Sequence, residues 1–217
     1  NNLPLFNDSP LFLSACPSKI ISFGYSLINK YRYPCRDFSS KLVSLAPKSN
    51  LIKTKKNLIP SFLNLENTGW TFIREKSIEI IFKFGIPCPK ELPAHAHSDL
   101  LSFDVFKDGK PLIVSCGTSV YQNSKERNYE RSTSSHNSFQ LGTFHPKEPK
   151  NISWIEPVET WNSFRAARKA SPIKNDSGKD YQGNLWARGS HDGFAKCGAK
   201  YERTILIEKN KDKKIKL

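Results

Sequence analysis

The first sixty residues carry a hydrophobic pattern with the period of an α-helix. In "PSKIISFGYSLINKYRY", apolar residues recur every three or four positions from Ile20 to Tyr31. Ser18 is placed to cap this predicted helix, and Pro34 to end it. "RDFSSKLVSLA" predicts a second short helix, and "KSNLIKTKKN" reads as a basic linker or exposed loop.

From about Thr68 the pattern changes to the alternation that is typical of β-strands. The first predicted strands are "WTFIR", "SIEIIFKF", "LLSFDVFK" and "KPLIVSC", with a hairpin turn at "KDGK" between the last two. Further strands are predicted in "SFQLG", "SFRAARKA", "LWARGSHDGF" and "YERTILIEK", and another hairpin in "NKDK" and "KIKL". Many short strands with little helix between them favour an antiparallel β-sandwich. We therefore predict a mainly β protein, with helices and a linker in residues 1–60 and the β-sandwich in residues 61–217.

The segment "HAHSD" places His95, His97 and Asp99 at alternating positions. If one strand runs through "HAHSDLLSFDVF", the three polar side chains share a face with Leu101 and the apolar residues that follow it. Polar groups are costly to bury without partners, so this segment is a candidate site. Two interpretations remain open: a metal or catalytic site, and structural histidines that are hydrogen-bonded within a sheet.

The charge of the chain is strongly positive. The 217 residues include 34 Lys and Arg against 20 Asp and Glu, a formal net charge of +14. Such a surface attracts polyanions, although basic loops in solvent explain the same count. No recognition helix or aromatic platform motif supports nucleic-acid binding, and no apolar run of roughly 18 residues predicts membrane insertion. The five cysteines lack CxxC spacing and give no sign of a zinc finger or a disulfide framework.

Three ordered motifs lie between His95 and Asn137: "HAHSDLLSF", "SCGTSVY" and "RNYERSTSSHN". Together they resemble the heparinase II/III family of polysaccharide lyases. Weaker agreement extends to "PLFNDS", "WNSFRAARKA", "GSHDGF" and "YERTILIE". The resemblance implies an α/α toroid followed by an antiparallel β-sandwich. By this likeness we expect the chain to be a fragment that holds only the last helices of the toroid.

The resemblance also implies roles for the histidines. Enzymes of the family cleave uronate-containing polysaccharides by β-elimination, and their first HxH histidine, which falls on His95, implies a catalytic role. The next two histidine positions, His97 and His136, hold a structural zinc in some members. The third zinc ligand there is an Asp, but this chain has Ser115. We therefore expect either a zinc site, with Asp99 as a substitute ligand, or hydrogen bonds among His97, His136, Asp99 and Ser115 that brace His95.

Other polar residues of these motifs are candidates for substrate binding. Alternation in "KERNYERSTSSHN" predicts one strand with Arg127, Tyr129 and Arg131 on the same face, either to bind a carboxylate or sulfate or to form ordinary ion pairs with Glu126 and Glu130. Tyr121 is either a wall of the site or a core residue. Asn137 either orients His136 or caps a turn, and Gly117 allows a tight bend.

More distant motifs add weaker candidates. Trp161, Arg165, Arg168 and His191 are possible ligand contacts, although a Trp in a strand is more often core, and Gly193 is expected at a positive φ in an "HDG" turn. Asn7 and Asp8 either face the cleft or cap a turn. The catalytic Tyr and the Asn or His that neutralises the carboxylate lie in the toroid of related enzymes, so we expect them upstream of Asn1.

Taken together, these patterns predict a lyase or lyase-like protein that acts on an anionic polysaccharide. The alternative is a non-catalytic carbohydrate-binding or structural protein of surface-polysaccharide synthesis. The likeness implies the periplasm or cell envelope as the compartment.

Overall fold

The alternating apolar pattern folds into antiparallel sheets. The computed structural model describes residues 60–145 and 147–208. Their strands are β1 (Phe62–Leu65), β2 (Trp70–Glu75), β3 (Ile78–Lys83), β4 (Phe103–Lys107), β5 (Lys110–Ile113), β6 (Leu141–His145), β7 (Glu148–Ile155), β8 (Val158–Trp161), β9 (Arg165–Lys169), β10 (Pro172–Lys179), β11 (Leu185–His191) and β12 (Tyr201–Ile207). One α-helix, α1 (Lys125–Arg131), lies among the described residues.

The strands form one large sheet and three smaller ones. β1 to β5 make a five-stranded sheet in chain order, and β10, β11 and β12 make a three-stranded sheet. β6 pairs with β7 and β8 with β9. Every pairing between these strands is antiparallel, as the sequence predicts.

The main core joins the five-stranded and the three-stranded sheet. Apolar side chains of β2, β3 and β4 pack with those of β11 and β12, and they include Ile73, Ile80, Phe82, Val105, Leu185, Ala187, Ile205 and Ile207. A smaller cluster on Ile81 and Phe106 lies apart from this core, with Trp70 and Phe72 packed against it. Two sheets with a shared apolar interior are the arrangement of a β-sandwich.

The "KDGK" hairpin is confirmed. Lys107 of β4 faces Lys110 of β5, and the two residues between them, Asp108 and Gly109, have φ of 51° and 71°. Two positive φ values in a two-residue loop are the signature of a type I′ turn, which Asp-Gly favours. Gly117 also has a positive φ of 75°, which agrees with its expected role in a bend.

Some predicted elements lie outside the described residues. These are the two helices and the linker before residue 60, Asn7 and Asp8, and the C-terminal hairpin "NKDK"–"KIKL". Within the described part of the chain, no helix is long and apolar enough to cross a membrane.

Candidate active site

The segment that contains "HAHSD" is a loop between β3 and β4, and the prediction of one strand through it is wrong. β4 begins only at Phe103. His95 and Leu101 each have a φ of 56°, a left-handed conformation that a strand does not accommodate. The polar side chains therefore do not share a face: His95 is exposed, whereas His97 and Asp99 are fully buried.

The β8–β9 hairpin holds His95 in place. The amide of His95 donates to the carbonyl of Phe164 over 3.0 Å, and Ala94 forms a β-bridge with Arg165. The imidazole meets the Phe164 ring edge-on at 5.3 Å between centroids. Next to it in the chain, Ala96 is buried in a small apolar cluster with residues of β8 and β9. The backbone of His95 is thus fixed while its side chain remains at the surface.

Two stacked aromatic rings, Phe164 and Tyr121, lie on the same surface as the exposed imidazole, and Phe164 contacts it. Tyr121 stacks on Phe164 with 5.7 Å between ring centroids, and the guanidinium of Arg127 lies 5.2 Å from the centre of the Tyr121 ring. Tyr121 is partly exposed, so it belongs to this surface and not to the sandwich core. A histidine beside aromatic rings offers a proton-transfer group next to apolar faces of the kind on which sugar rings stack.

The segment "KERNYER" is the helix α1, so the predicted strand there is wrong. Ser124 caps it, its hydroxyl accepting from the Arg127 amide over 3.2 Å. In a helix, residues four apart lie on one face, so Arg127 and Arg131 both point inward and are buried. Tyr129 points the other way and is 54% exposed. The three side chains therefore do not form a common binding face.

The two buried arginines bind backbone carbonyls of the His95 region. Arg131 donates twice to the Ala96 carbonyl, at 3.1 and 2.9 Å, and also to the carbonyls of Asn162, Phe164 and Arg165. Arg127 donates to the Ser163 carbonyl over 2.9 Å and to the Thr118 hydroxyl over 3.2 Å. These contacts tie α1 to the β8–β9 hairpin and to the loop that carries His95.

Behind the loop lies a buried polar cluster of four side chains. His97 Nδ1 and His136 Nε2 are 3.1 Å apart, within hydrogen-bond distance. Asp99 accepts from the ammonium of Lys83 with both carboxylate oxygens, at 2.6 and 2.7 Å.

Burial and charge set the protonation of this cluster. Burial raises the pKa of Asp99, but Lys83, by its charge and hydrogen bonds, together with His136 and His97 lowers it by more, so this pKa lies below its usual value. Burial lowers the pKa of His136 to about 4 despite the nearby carboxylate. At neutral pH the cluster therefore consists of an ion pair and a neutral His136 imidazole.

Ser115 and Asn137 have partners outside this cluster. The amide and the hydroxyl of Ser115 donate to one oxygen of Asp104, at 3.0 and 3.4 Å. Asn137 donates from Nδ2 to the Phe103 carbonyl over 2.9 Å, and its own carbonyl accepts from Arg203. Asn137 therefore joins β4 to β12 and does not orient the His136 ring.

These residues do not fit a zinc ion. The two imidazoles supply two donors, but Asp99 is occupied by Lys83, and the residue at the third ligand position is a neutral Ser115 that donates to Asp104. Within the described residues, no group of three or more His, Cys, Asp and Glu side chains is arranged to hold a metal. A structural zinc site takes four donors, several of them anionic or imidazole groups.

The weaker candidates lie in different surroundings. Trp161 on β8 is 60% exposed, so the expectation that it is a core residue is wrong, and Arg165 on β9 is exposed as well. Gly193 does not have a positive φ, contrary to the prediction. Instead, a Cβ at Gly193 would come within 3.0 Å of Ala170, His191 and Pro157, so close packing is what favours glycine there.

His191 is fully buried, so its side chain is not accessible to a ligand. Its titration makes the stability of the fold depend on pH. Its Nδ1 accepts from the Gly193 amide, and burial lowers its pKa to about 4, an effect that Asp192 opposes and Arg203 reinforces. An unfolded histidine titrates near about 6.5, so the folded state binds fewer protons between these values and loses stability as the pH falls through this window. From pH 7 to 5 this one group removes about 2 kcal/mol.

We therefore expect His191→Asn, which keeps an acceptor for the Gly193 amide, to lose about 2 kcal/mol less than the wild type between pH 7 and 5. Urea denaturation at both pH values measures this difference. Thr204→Ala, an exposed change on β12, serves as the control and should keep the wild-type dependence. Equal pH dependence in His191→Asn and wild type would contradict the assignment.

Sequence reasoning missed two residues of this region. Phe164, which packs against His95 and whose carbonyl accepts from the His95 amide, lies in the turn between β8 and β9 and carries no periodic signal. Lys83 is the second-last residue of the apolar run "IEIIFKF". A charged residue between two buried phenylalanines could have indicated a buried ion pair.

The chain is similar to known proteins in family and fold. A family model described as "Heparinase II/III-like, C-terminal" matches residues 60–216. Two solved structures, the heparan sulfate lyase HepC from Pedobacter heparinus and a mutant of it, are each 16% identical with a TM-score of 0.50. Each match covers 94% of this chain and 27% of the lyase chain, so this chain spans about a quarter of the length of these lyases. At this identity the likeness concerns the fold. No curated protein sequence matches the chain significantly.

Proposed function

Because the chain belongs to the heparinase II/III-like family, whose C-terminal model covers residues 60–216, we propose that it is part of a lyase that cleaves an acidic, uronate-containing polysaccharide. The observation that carries this proposal is the exposed His95, the residue on which the first histidine of the family's HxH motif falls. Its backbone is fixed by Phe164 and its side chain lies at the surface beside aromatic rings.

The proposed reaction is a β-elimination. A base removes the proton at C5 of the uronate, the electrons of that bond form the C4–C5 double bond, and the bond from C4 to the glycosidic oxygen breaks. The departing oxygen takes up a proton. Histidine suits a proton transfer of this kind because its charge changes close to neutral pH. In this proposal His95 acts on the substrate directly, and Phe164 with Tyr121 provides faces for sugar rings.

An anionic polymer also suits the charge of the chain. The excess of basic residues gives a formal net charge of +14, and a positive surface raises the local concentration of a polyanionic substrate. Because Arg127 and Arg131 are buried on backbone carbonyls, the basic groups that meet the substrate must be others.

We expect His95→Ala in the full-length protein to lower kcat/KM by at least about 100-fold, since general acid–base groups contribute about 10²–10⁴. The assay follows the ultraviolet absorbance of the unsaturated product with a panel of uronate-containing polysaccharides. Thr204→Ala, exposed on β12, is the control and should keep full activity.

Retained activity in His95→Ala would remove this residue from the mechanism. If no substrate of the panel is cleaved by the wild type while acidic polysaccharides still bind, the protein is a carbohydrate-binding or structural member of the family, and the lyase proposal fails.

A further inference from the structure

Lys83 is a buried lysine whose positive charge is compensated by a buried carboxylate. It is the last residue of β3 and is 3% exposed, and its ammonium donates to both oxygens of Asp99, which is 0% exposed. Lysine and aspartate are almost never buried unless they are paired. The distances of 2.6 and 2.7 Å are those of strong, charge-assisted hydrogen bonds.

The pair lies within electrostatic reach of the two facing imidazoles. The charges of Lys83 and Asp99 both act on the pKa of His136. These four side chains therefore form one buried cluster. Asp99 and Lys83 cancel each other's charge, and His97 Nδ1 lies 3.1 Å from His136 Nε2.

A divalent cation in this cluster would meet the positive charge of Lys83, which already binds both oxygens of Asp99. Zn²⁺ would add two charges to a pair that is already neutral, and buried charges without compensation cost several kcal/mol each. The Asp99 carboxylate is held by Lys83, and Ser115 brings a neutral hydroxyl to the third ligand position.

We propose that the ammonium of Lys83, which is bound to Asp99, is the permanent cation of this buried cluster. It takes the place of the positive charge that a zinc ion would otherwise bring. The β-sandwich then folds without a metal at His97 and His136. This inference concerns the fold of the domain and stands or falls independently of the lyase activity.

The first test measures metal. The full-length protein is purified from cells grown with added zinc, and its zinc content is determined by elemental analysis beside that of His136→Ala. We expect the same zinc content in both proteins, and the same melting temperature with EDTA, with added Zn²⁺ and with neither. About one zinc per chain that is lost in His136→Ala, with a lower melting temperature in EDTA, would overturn the proposal.

The second test removes the lysine. Lys83→Met leaves the Asp99 charge buried and alone, so we expect the melting temperature to fall by about 10 °C or more. The matched control is Arg74→Met, which breaks a partly exposed ion pair with Glu79 at 3.0 Å, and its shift should stay below about 3 °C. Equal shifts in the two variants would overturn the role of Lys83.

A double variant covers the case in which Lys83→Met does not fold. Lys83→Met/Asp99→Leu removes both charges, and a buried ion pair replaced by apolar residues of similar size is often tolerated. We expect the double variant to fold and to recover at least about half of the lost melting temperature. A double variant as damaged as the single one would show that charge compensation is not what Lys83 provides.

Discussion

Replacing Arg131 with methionine is expected to lower the free energy of unfolding by at least about 4 kcal/mol. It removes the Arg131 donors from the buried carbonyl of Ala96 and from three partly buried carbonyls, and a polar group left unsatisfied costs about 1–3 kcal/mol. Arg131 is 1% exposed and donates to the carbonyls of Ala96, Asn162, Phe164 and Arg165. Urea denaturation followed by tryptophan fluorescence measures the loss, since all four tryptophans of the chain lie in the described β-strands.

Two further variants test whether the guanidinium geometry is the cause. Arg131→Lys keeps the charge, but an ammonium cannot reach acceptors on both the His95 loop and the β8–β9 hairpin, so most of the loss should remain. Arg165→Met changes an exposed arginine of the same hairpin and should stay within about 0.5 kcal/mol of the wild type. A stable Arg131→Met, or full rescue by lysine, would contradict the prediction.

The same contact links Arg131 to the candidate catalytic residue. The carbonyl of Phe164 accepts both from Arg131 and from the amide of His95. If the lyase proposal holds, a variant at Arg131 that still folds should lose activity because the hairpin no longer fixes His95. Arg131 is then a positioning residue, and it does not contact the substrate itself.

Most strands that the sequence predicts correctly have a buried face, and β5, which is mostly exposed, is predicted by its Asp-Gly turn. β2, β3, β4, β11 and β12 supply the main core, so their apolar residues recur at every second position or in continuous runs. β10 was missed because most of its residues are exposed and polar, which leaves no alternation to read. β10 is held as a strand by its backbone pairing with the neighbouring strand β11. A local sequence pattern does not contain this pairing.

The errors at the candidate site have a common cause, which is that short spacings fit more than one structure. Arg127 and Arg131 are four residues apart, a spacing that suits one face of a strand and one face of a helix equally well. The deciding signals were Ser124 as the cap and Glu126 in the first turn, which favour a helix. In "HAHSD" the alternation was real, but two residues with positive φ within this loop end any strand.

Partners that are distant in sequence were out of reach of any pattern. Lys83 meets Asp99 and Arg131 meets Asn162 only after the sheets and the hairpin are assembled. The motif could therefore indicate that His95, His97 and His136 belong to one region, but not that a lysine neutralises its carboxylate. Tertiary structure alone decides which polar groups of a motif face the solvent and which are buried behind it.

Replacing Gly69 with alanine is expected to lower the free energy of unfolding by at least about 3 kcal/mol, the sum of an unfavourable φ and a backbone clash. Gly69 has a φ of 73°, and a Cβ there would lie 2.0 Å from the Cα of Gly85. The two backbones meet because the Gly69 carbonyl accepts from the amides of Phe84 and Gly85 at the end of β3. Since the nearest atoms belong to the main chain of Gly85, the clash cannot be relieved by a rotamer change.

Gly198 separates the two causes. It also ends a 3₁₀ turn, with a φ of 69°, but a Cβ there would meet no atom within 4 Å. Gly198→Ala therefore carries only the cost of the left-handed conformation, about 1 kcal/mol. Urea denaturation of the two variants side by side should show a difference of at least about 2 kcal/mol. If the two losses are equal, the close approach of Gly69 and Gly85 does not contribute to the loss of stability. The backbone at the end of β3 then moves to accommodate the added Cβ.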